Sequence, residues 1–221
     1  PVIQTKNLGK HFGATVALSG VNLEIPEGEI IGLVGPNGAG KTTLFSIICG
    51  FLKPNTGSLN VLGHAPLSPE LQGRVSVLPQ DAPLSKAVNI RKQFEFFAKL
   101  QGFSPAEAAK EAQTALESVD LLDKAEEVPD SLSHGMRKRA CLAQTFIGNP
   151  ELILLDEPTA GLDPVTTHKV RELVLRKAVG RTIVISSHNL ADLQETCNSV
   201  AILNEGKLVR FCQVSELIDR G

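Results

Sequence analysis

Tryptophan and tyrosine are absent from this 221-residue sequence, and nine phenylalanines are its only aromatic residues. A surface that stacks successive nucleic-acid bases needs such rings, so that class of binder is excluded. An excess of one charge is missing too: 22 Lys and Arg stand against 24 Asp and Glu, a formal net charge of −2. That balance gives no basic field to neutralise a phosphate backbone. The cysteines at 49, 141, 197 and 212 show no CxxC spacing. Zinc and thioredoxin-type readings fail on that ground, and reduced buried thiols are expected. No apolar run approaches the ~18 residues that a membrane span requires, and Pro1-Val2-Ile3-Gln4-Thr5-Lys6 does not read as a signal peptide. A soluble, intracellular protein without nucleic acid as a partner is expected. What is present, 42% hydrophobic and 21% charged residues, is the mixture of a chain that folds around its own core.

The stretch from Val2 to about Ile30 predicts short β segments broken by Gly9, Gly13, Gly20 and the Pro26-Glu27-Gly28 turn. Ile30–Val34 is a short apolar run and predicts a buried strand. Leu44, Ile47, Ile48 and Phe51 then recur at helical spacing, predicting a helix from Lys41 to about Phe51. Further strands are expected near Ser58–Leu62 and Arg74–Leu78. From Val88 to Cys141 the pattern is helical, with Ile90, Phe94, Phe97 and Leu100 on one face and a capping box at Ser104-Pro105-Ala106-Glu107. A further helix stops at Gly148-Asn149-Pro150. After it come a strand at Leu152–Leu155, a helix from about Pro164 to Ala178, a strand at Thr182–Ser186, a helix near Leu190–Cys197 and a hairpin turning at Asn204-Glu205-Gly206. Alternating strands and helices indicate a parallel α/β sheet, with the block at 88–145 inserted into it.

Gly35-Pro36-Asn37-Gly38-Ala39-Gly40-Lys41-Thr42 fits G-x-x-x-x-G-K-[ST]. Between a buried strand and an amphipathic helix, such a loop curls backbone N–H groups around a polyphosphate, aided by the helix N-terminus. Lys41 would serve the β- and γ-phosphates, Thr42 a Mg²⁺ ion, and Thr43 extends the phosphate-binding run. Leu152-Ile153-Leu154-Leu155-Asp156-Glu157 is a buried strand ending in two carboxylates. Ligands of open α/β sheets bind at that end, so Asp156 is placed for the Mg²⁺ shell and Glu157 for orienting or deprotonating the attacking water. These two motifs alone admit kinases, small GTPases, helicases and transport ATPases.

The rest of the chain resembles the nucleotide-binding subunits of ATP-binding cassette (ABC) transporters, with a lean toward bacterial exporter-type cassettes. Gln80, in Leu78-Pro79-Gln80, resembles the Q-loop; Leu132-Ser133-His134-Gly135-Met136 lies where the signature sequence belongs; Ala160-Gly161-Leu162-Asp163 resembles the D-loop; and Ser186-Ser187-His188 resembles the switch histidine segment. Phe12 is similar to the aromatic residue that stacks on adenine, with Val16 behind it. The signature departs from the common Leu-Ser-Gly-Gly-Gln: His134 replaces the first glycine and Met136 the glutamine, which removes an amide that hydrogen-bonds. Arg137-Lys138-Arg139 after it reads mostly as a solvated helix face.

The resemblance implies an α/β fold: a P-loop NTPase core with a mixed sheet, an N-terminal antiparallel β subdomain and an inserted α-helical subdomain. It forms one domain, with residues 1–87 and 146–221 as the core and 88–145 as the helical part. ATP and Mg²⁺ are the implied ligands, with Gln80 joining Thr42 and Asp156 near the metal and His188 joining Lys41 and Glu157 in catalysis. The implied partners are a second ABC subunit, which would supply Ser133, His134, Gly135 and Met136 in trans with Asp163 at the junction, and integral membrane permease subunits. The implied location is the cytoplasmic face of the cell membrane. After Val214-Ser215-Glu216-Leu217-Ile218 no additional C-terminal regulatory domain is expected. A non-transport ABC ATPase would carry a basic face or long insertions, and a regulatory module would lose Glu157, His188 or Lys41; the altered signature is the feature that favours the latter. The phosphate-loop assignment predicts that Lys41→Ala abolishes ATP binding or hydrolysis, and full retained activity would refute it.

Overall fold

The computed structural model describes residues 1–81 and 84–218. Strands β1 (Ile3–Phe12) and β2 (Thr15–Ile25) form an antiparallel hairpin across Gly13-Ala14. The expected short segments are in fact these two long strands. Gly9 and Gly20 lie inside them, and the ladder takes up the irregularity as register shifts between Thr5 and His11, bulging where an end was expected. Strand β3 (Ile30–Val34) is buried at every position. Helix α1 (Lys41–Ile48) buries Leu44, Ile47 and Ile48. Phe51, expected on that face, is 68% exposed, because Gly50 takes a left-handed conformation at φ 76° and ends the helix first. Strand β4 (Thr56–Val61) pairs with β1 and completes a three-stranded antiparallel sheet in the order β2-β1-β4.

Strand β5 (Val75–Leu78) leads into three helices, α2 (Ile90–Leu100), α3 (Pro105–Glu117) and α4 (His134–Thr145). Each begins where a short polar side chain accepts a main-chain N–H: Asn89 from Lys92, Ser104 from Glu107, Ser133 from Met136. At Ser104 the reciprocal Glu107 bond completes the capping box. The face of α2 differs from expectation: Ile90, Gln93, Phe94 and Ala98 are buried, Phe97 is half-buried and Leu100 is exposed. Gln93 turns inward because its amide is bonded to the backbone of Ser85 and Val88. The basic run 137–139 is likewise not a solvated face. Arg137 donates to the Pro129 carbonyl, Lys138 to that of Gln80 and Arg139 to that of Val119.

The chain then alternates: β6 (Leu152–Asp156), α5 (Pro164–Lys177), β7 (Thr182–Ser187), α6 (Ala191–Gln194), β8 (Ser199–Asn204), β9 (Lys207–Gln213) and α7 (Ser215–Ile218). Helix α6 is shorter than the expected Leu190–Cys197. Asn198 leaves the helix to bond Ile30 through both its side chain (2.9 Å) and its main-chain N–H (2.8 Å), which sets the start of β8 beside β3. The six-stranded sheet runs β5-β6-β7-β3-β8-β9, parallel except for the β8–β9 hairpin, and is therefore mixed. Period-two alternation divides its faces. Ile153, Leu155, Ile183 and Ile185 pack toward α2–α5, while Leu152, Leu154, Val184 and Leu33 pack with α1 and the antiparallel sheet. Cys141, Cys197 and Cys212 are buried, and burial pushes the thiols of Cys49 and Cys197 up to about 12. Among the described residues no helix is long and apolar enough to cross a membrane. The division at 87 and 145 takes in residues 82, 83 and 219–221, which lie outside those described. Ile183, fully buried in β7, should cost about 2–5 kcal/mol as Ile183→Ala, read as a lower urea midpoint at unchanged slope.

Candidate functional site

Four neighbouring strands deliver their C-terminal ends to one sheet edge. Gln80 follows β5, Asp156 and Glu157 end β6, His188 follows β7, and the loop from Gly35 follows β3. The register fixes the details: Asp156 stands opposite Ser186, and Val34 opposite Ser187. From Gly35 the chain rises into an exposed loop, Pro36 to Gly38, and enters α1 through Gly40 at φ 102°. A side chain at Gly40 would also meet the Ala17 carbonyl at 2.6 Å, so only glycine fits both the dihedral and the packing. The first N–H groups of α1 consequently face open space above the loop.

Lys41 is buried at 6% exposure. Its Nζ donates to the carbonyls of Gly35 (2.6 Å) and Pro36 (3.3 Å) and stands 3.7 Å from Glu157 Oε1. Glu157 has a positive φ of 50°, a conformation that costs an L-residue about 1–2 kcal/mol. Its N–H leaves the strand ladder for Ser186 Oγ at 3.0 Å, and its carboxylate meets His188 Nδ1 at 3.0 and 3.2 Å. The His188 side chain is 55% exposed and that of Glu157 10%, so the imidazole is the solvent-facing member of the pair.

Asp156 is 2% exposed. Thr42 Oγ1 donates to its Oδ2 at 2.8 Å, and the Ser186 hydroxyl donates to Oδ1. Among the described residues no cation pairs with it. A buried carboxylate held by two hydroxyls, with Thr42 at the cavity wall, is a hard oxygen donor set, and it fits a magnesium ion that takes its remaining ligands from phosphate and water. The same residues provide no cluster of three His, Cys, Asp or Glu side chains.

These groups enclose a cavity of about 560 Å³ whose lining includes Phe12, Val16, Asn37, Gly38, Ala39, Gly40, Lys41, Thr42, Thr43, Gln80, Glu157 and His188. Gly35, Pro36 and Asp156 lie behind that lining and act on it through Lys41 and Thr42. Phe12 and Val16, at 49% and 60% exposure, are not core residues. The Phe12 ring carries Lys10 Nζ at 5.1 Å from its centroid. Ser133, His134, Gly135, Met136 and Asp163 are not brought to this cavity. Ser133 caps α4, accepting from Met136 N–H at 3.2 Å. Asp163 caps α5, where the Thr166 hydroxyl and amide hold its carboxyl below the usual carboxylate range. Met136 packs against the core, and a Cβ on Gly161 would stand 3.6 Å from Nε2 of His134.

Two contributors were not assigned from sequence. Ser186 bridges Asp156 and Glu157, and Lys138 reaches the loop of Gln80. Ser186 left a signal: a polar residue closing the buried run Thr182-Ile183-Val184-Ile185 at the functional edge. Ser186→Ala leaves a buried N–H and a buried carboxylate each short of a partner, and should cost about 1–3 kcal/mol by urea unfolding; a change under a few tenths would contradict the bridge.

Comparison with known proteins bears on this geometry. Residues 18–160 match the ABC transporter family. An uncharacterized ABC transporter ATP-binding protein of Bacillus subtilis, YhaQ, is 36% identical over 209 residues, which is 94% of this chain and 70% of that protein. The Nod factor export ATP-binding protein I of Cupriavidus metallidurans is 33% identical over 222 residues, 99% of this chain and 73% of that protein. Among solved structures, cbiO1 of Clostridium perfringens, part of the ABC transporter complex cbiONQ, superposes with a TM-score of 0.88 at 27% identity, covering 99% of this chain and 90% of that one. The ATP-binding cassette MJ0796, a dimer in a post-hydrolysis state bound to ADP and phosphate, gives 0.86 at 27% identity, covering 96% and 98%. A family match across most of the chain, and relatives of one-third identity along nearly all of it, assign this polypeptide to the ABC transporter family as an ATP-binding domain.

Proposed function

We propose that this domain hydrolyses ATP with Mg²⁺ as one member of a pair of cassettes, and that closing and reopening of the pair drives export through separate membrane subunits. The observation that carries the reading is the split of the chemistry: Lys41, Glu157 and His188 converge on one cavity, while Ser133, at the tip of α4 in the same chain, is not part of its lining. A cavity so equipped yet open is completed by the Ser133 and Gly135 of a second cassette, whose helix N-terminus would meet the γ-phosphate.

In this reading Phe12 stacks on adenine, with Val16 beside it, and the N–H groups of residues 37–43 cradle the phosphates. Lys41 exchanges its loop carbonyls for β- and γ-phosphate oxygens. Thr42 and Asp156 hold Mg²⁺, with Gln80 approaching from the loop after β5. Bound Mg²⁺ supplies neutralisation of charge on the phosphate oxygens. Glu157 accepts the proton of the attacking water, and its strained backbone holds the carboxylate toward the cavity. His188 fixes that carboxylate and offers its second nitrogen to the γ-phosphate. Residues 88–145 act as a helical subdomain on the core of 1–87 and 146–221, and Asp163 lies at the junction of the pair. Export is favoured by relatives named for Nod factor export; location at the inner membrane face follows from the membrane partners.

The test is Glu157→Gln. With MgATP it should be trapped as a two-chain species by size exclusion with light scattering, should stay single with MgADP, and should lose turnover by about 10²–10⁴-fold. Wild-type ATPase per chain should fall on dilution. A variant that stays single with MgATP, or activity strictly linear in protein concentration, overturns the paired site.

A further inference from the structure

Glu157 stands one residue past the end of β6 and directly before Pro158. A proline disfavours helical dihedrals in the residue before it and steers that residue toward extended backbone. Glu157 has φ 50° instead, so its conformation is imposed by contacts rather than by local sequence. Among the described non-glycine residues of positive φ, Glu157 alone lines the cavity. Backbone strain is tolerated where the surrounding structure over-determines it.

Two hydrogen bonds pin the Glu157 main chain. The Ala160 N–H donates to its carbonyl at 3.2 Å, closing a turn through Pro158 and Thr159. Its own N–H donates to Ser186 Oγ at 3.0 Å. Only the second of these is made by a side chain. Ser186 is fully buried, and its hydroxyl hydrogen goes to Asp156 Oδ1. A backbone N–H can only donate and a carboxylate oxygen only accept, so one orientation of the hydroxyl serves both. Ser187, the next residue, is used otherwise: its Oγ accepts from Asn189 N–H at 3.0 Å, in the turn that carries His188. Ser186 is not part of the cavity lining, so it acts on the site only through its neighbours.

We infer that Ser186 is a positioning residue for hydrolysis: by holding the Glu157 N–H out of the strand ladder, its hydroxyl sets the direction in which the Glu157 carboxylate meets the attacking water. The inference rests on the assignment of Glu157 as the base. In the structure the carboxylate also meets His188 at 3.0 and 3.2 Å and Lys41 at 3.7 Å. Both of those side chains turn to phosphate in the proposed reaction, and the bond beneath the cavity is the one that still fixes the base. A misplacement of about 1 Å in a reacting group costs a rate factor on the order of 10².

Three variants separate the roles. Ser186→Ala removes the hydroxyl, Ser186→Cys fills its space with a weaker hydrogen-bonding group, and Ser186→Thr keeps it. Turnover, KM for ATP and pairing with MgATP are measured on protein shown to be folded by urea titration. Ser186→Ala and Ser186→Cys should lose kcat by about 10–100-fold with KM within ~2-fold of wild type. Both should also accumulate with MgATP as the two-chain species, as expected of Glu157→Gln; a purely structural loss would lower the folded fraction and trap nothing. Ser186→Thr should recover most of the turnover. Added to Glu157→Gln, Ser186→Ala should bring no further loss, because the two act through one group. Unchanged kcat in Ser186→Ala and Ser186→Cys, a loss confined to KM, no recovery in Ser186→Thr, or a loss that adds to that of Glu157→Gln overturns the positioning role. Full turnover in Glu157→Gln overturns instead the base assignment beneath it.

Discussion

A slip of one residue between β6 and β7 would turn Asp156 and Ser186 to opposite faces of the sheet, and the site would come apart. Their register, with Leu155 opposite Ile185 and Asp156 opposite Ser186, is the constraint on which the remaining chemistry depends. Both faces of these strands are buried, so apolar packing specifies the register strongly. Four strand ends then stand side by side, and the ladder sets the level from which each strand or the loop that leaves it contributes its group. Rigid elements place catalytic groups more accurately than loops do.

The edge so formed concentrates charges that water would otherwise separate. Lys41 and Glu157 are both buried and 3.7 Å apart, and Asp156 lies beside them with the hydroxyls of Thr42 and Ser186 as its partners among the described residues. Burying ionised groups is expensive unless hydrogen bonds satisfy them. Here Thr42, Ser186, His188 and the loop carbonyls supply those bonds. The carbonyls on Lys41 are exchangeable, because an ammonium bonds a charged phosphate oxygen more strongly than a neutral carbonyl. The cavity is thus held in a charged, oriented state that an incoming polyphosphate and cation neutralise without large rearrangement.

The legible part of the sequence was the part where local pattern and tertiary packing agree. The run Ile30–Val34, the capping box at Ser104 and the turn at Asn204-Glu205-Gly206 each specify structure within a few residues. Misreadings arose where a long-range partner overrides the local signal. Gly9 and Gly20 look like strand ends but are tolerated as irregularities of the β1–β2 ladder, because pairing resumes on either side of them. Leu100 has helical spacing yet is exposed in the last turn of α2, and Gln93 takes a buried position on the same helix to satisfy a loop. Arg137, Lys138 and Arg139 look solvated, since no sequence rule reveals the carbonyls they reach. In the site, charged positions were legible through motif spacing; the supporting Ser186 was not singled out, since its role is defined by a register partner 30 residues away.

The separation of Ser133 from Lys41 in one chain has an energetic consequence for a paired cassette. Shifting a two-state equilibrium from 1:99 to 99:1 requires about 5.5 kcal/mol of differential binding. A single helix tip offering Ser133 Oγ and the Gly135 N–H to a charged phosphate supplies hydrogen bonds worth about 1.5–3 kcal/mol each. One composite site therefore falls short of a decisive shift or barely reaches it, whereas two sites closing together exceed it. In the proposed pair, a γ-phosphate in both cavities would favour closure and its loss from either would leave the pair poised to open. That arithmetic tolerates His134 and Met136, because neither replaces the Ser133 hydroxyl or the Gly135 amide that would meet the phosphate in the proposed pair.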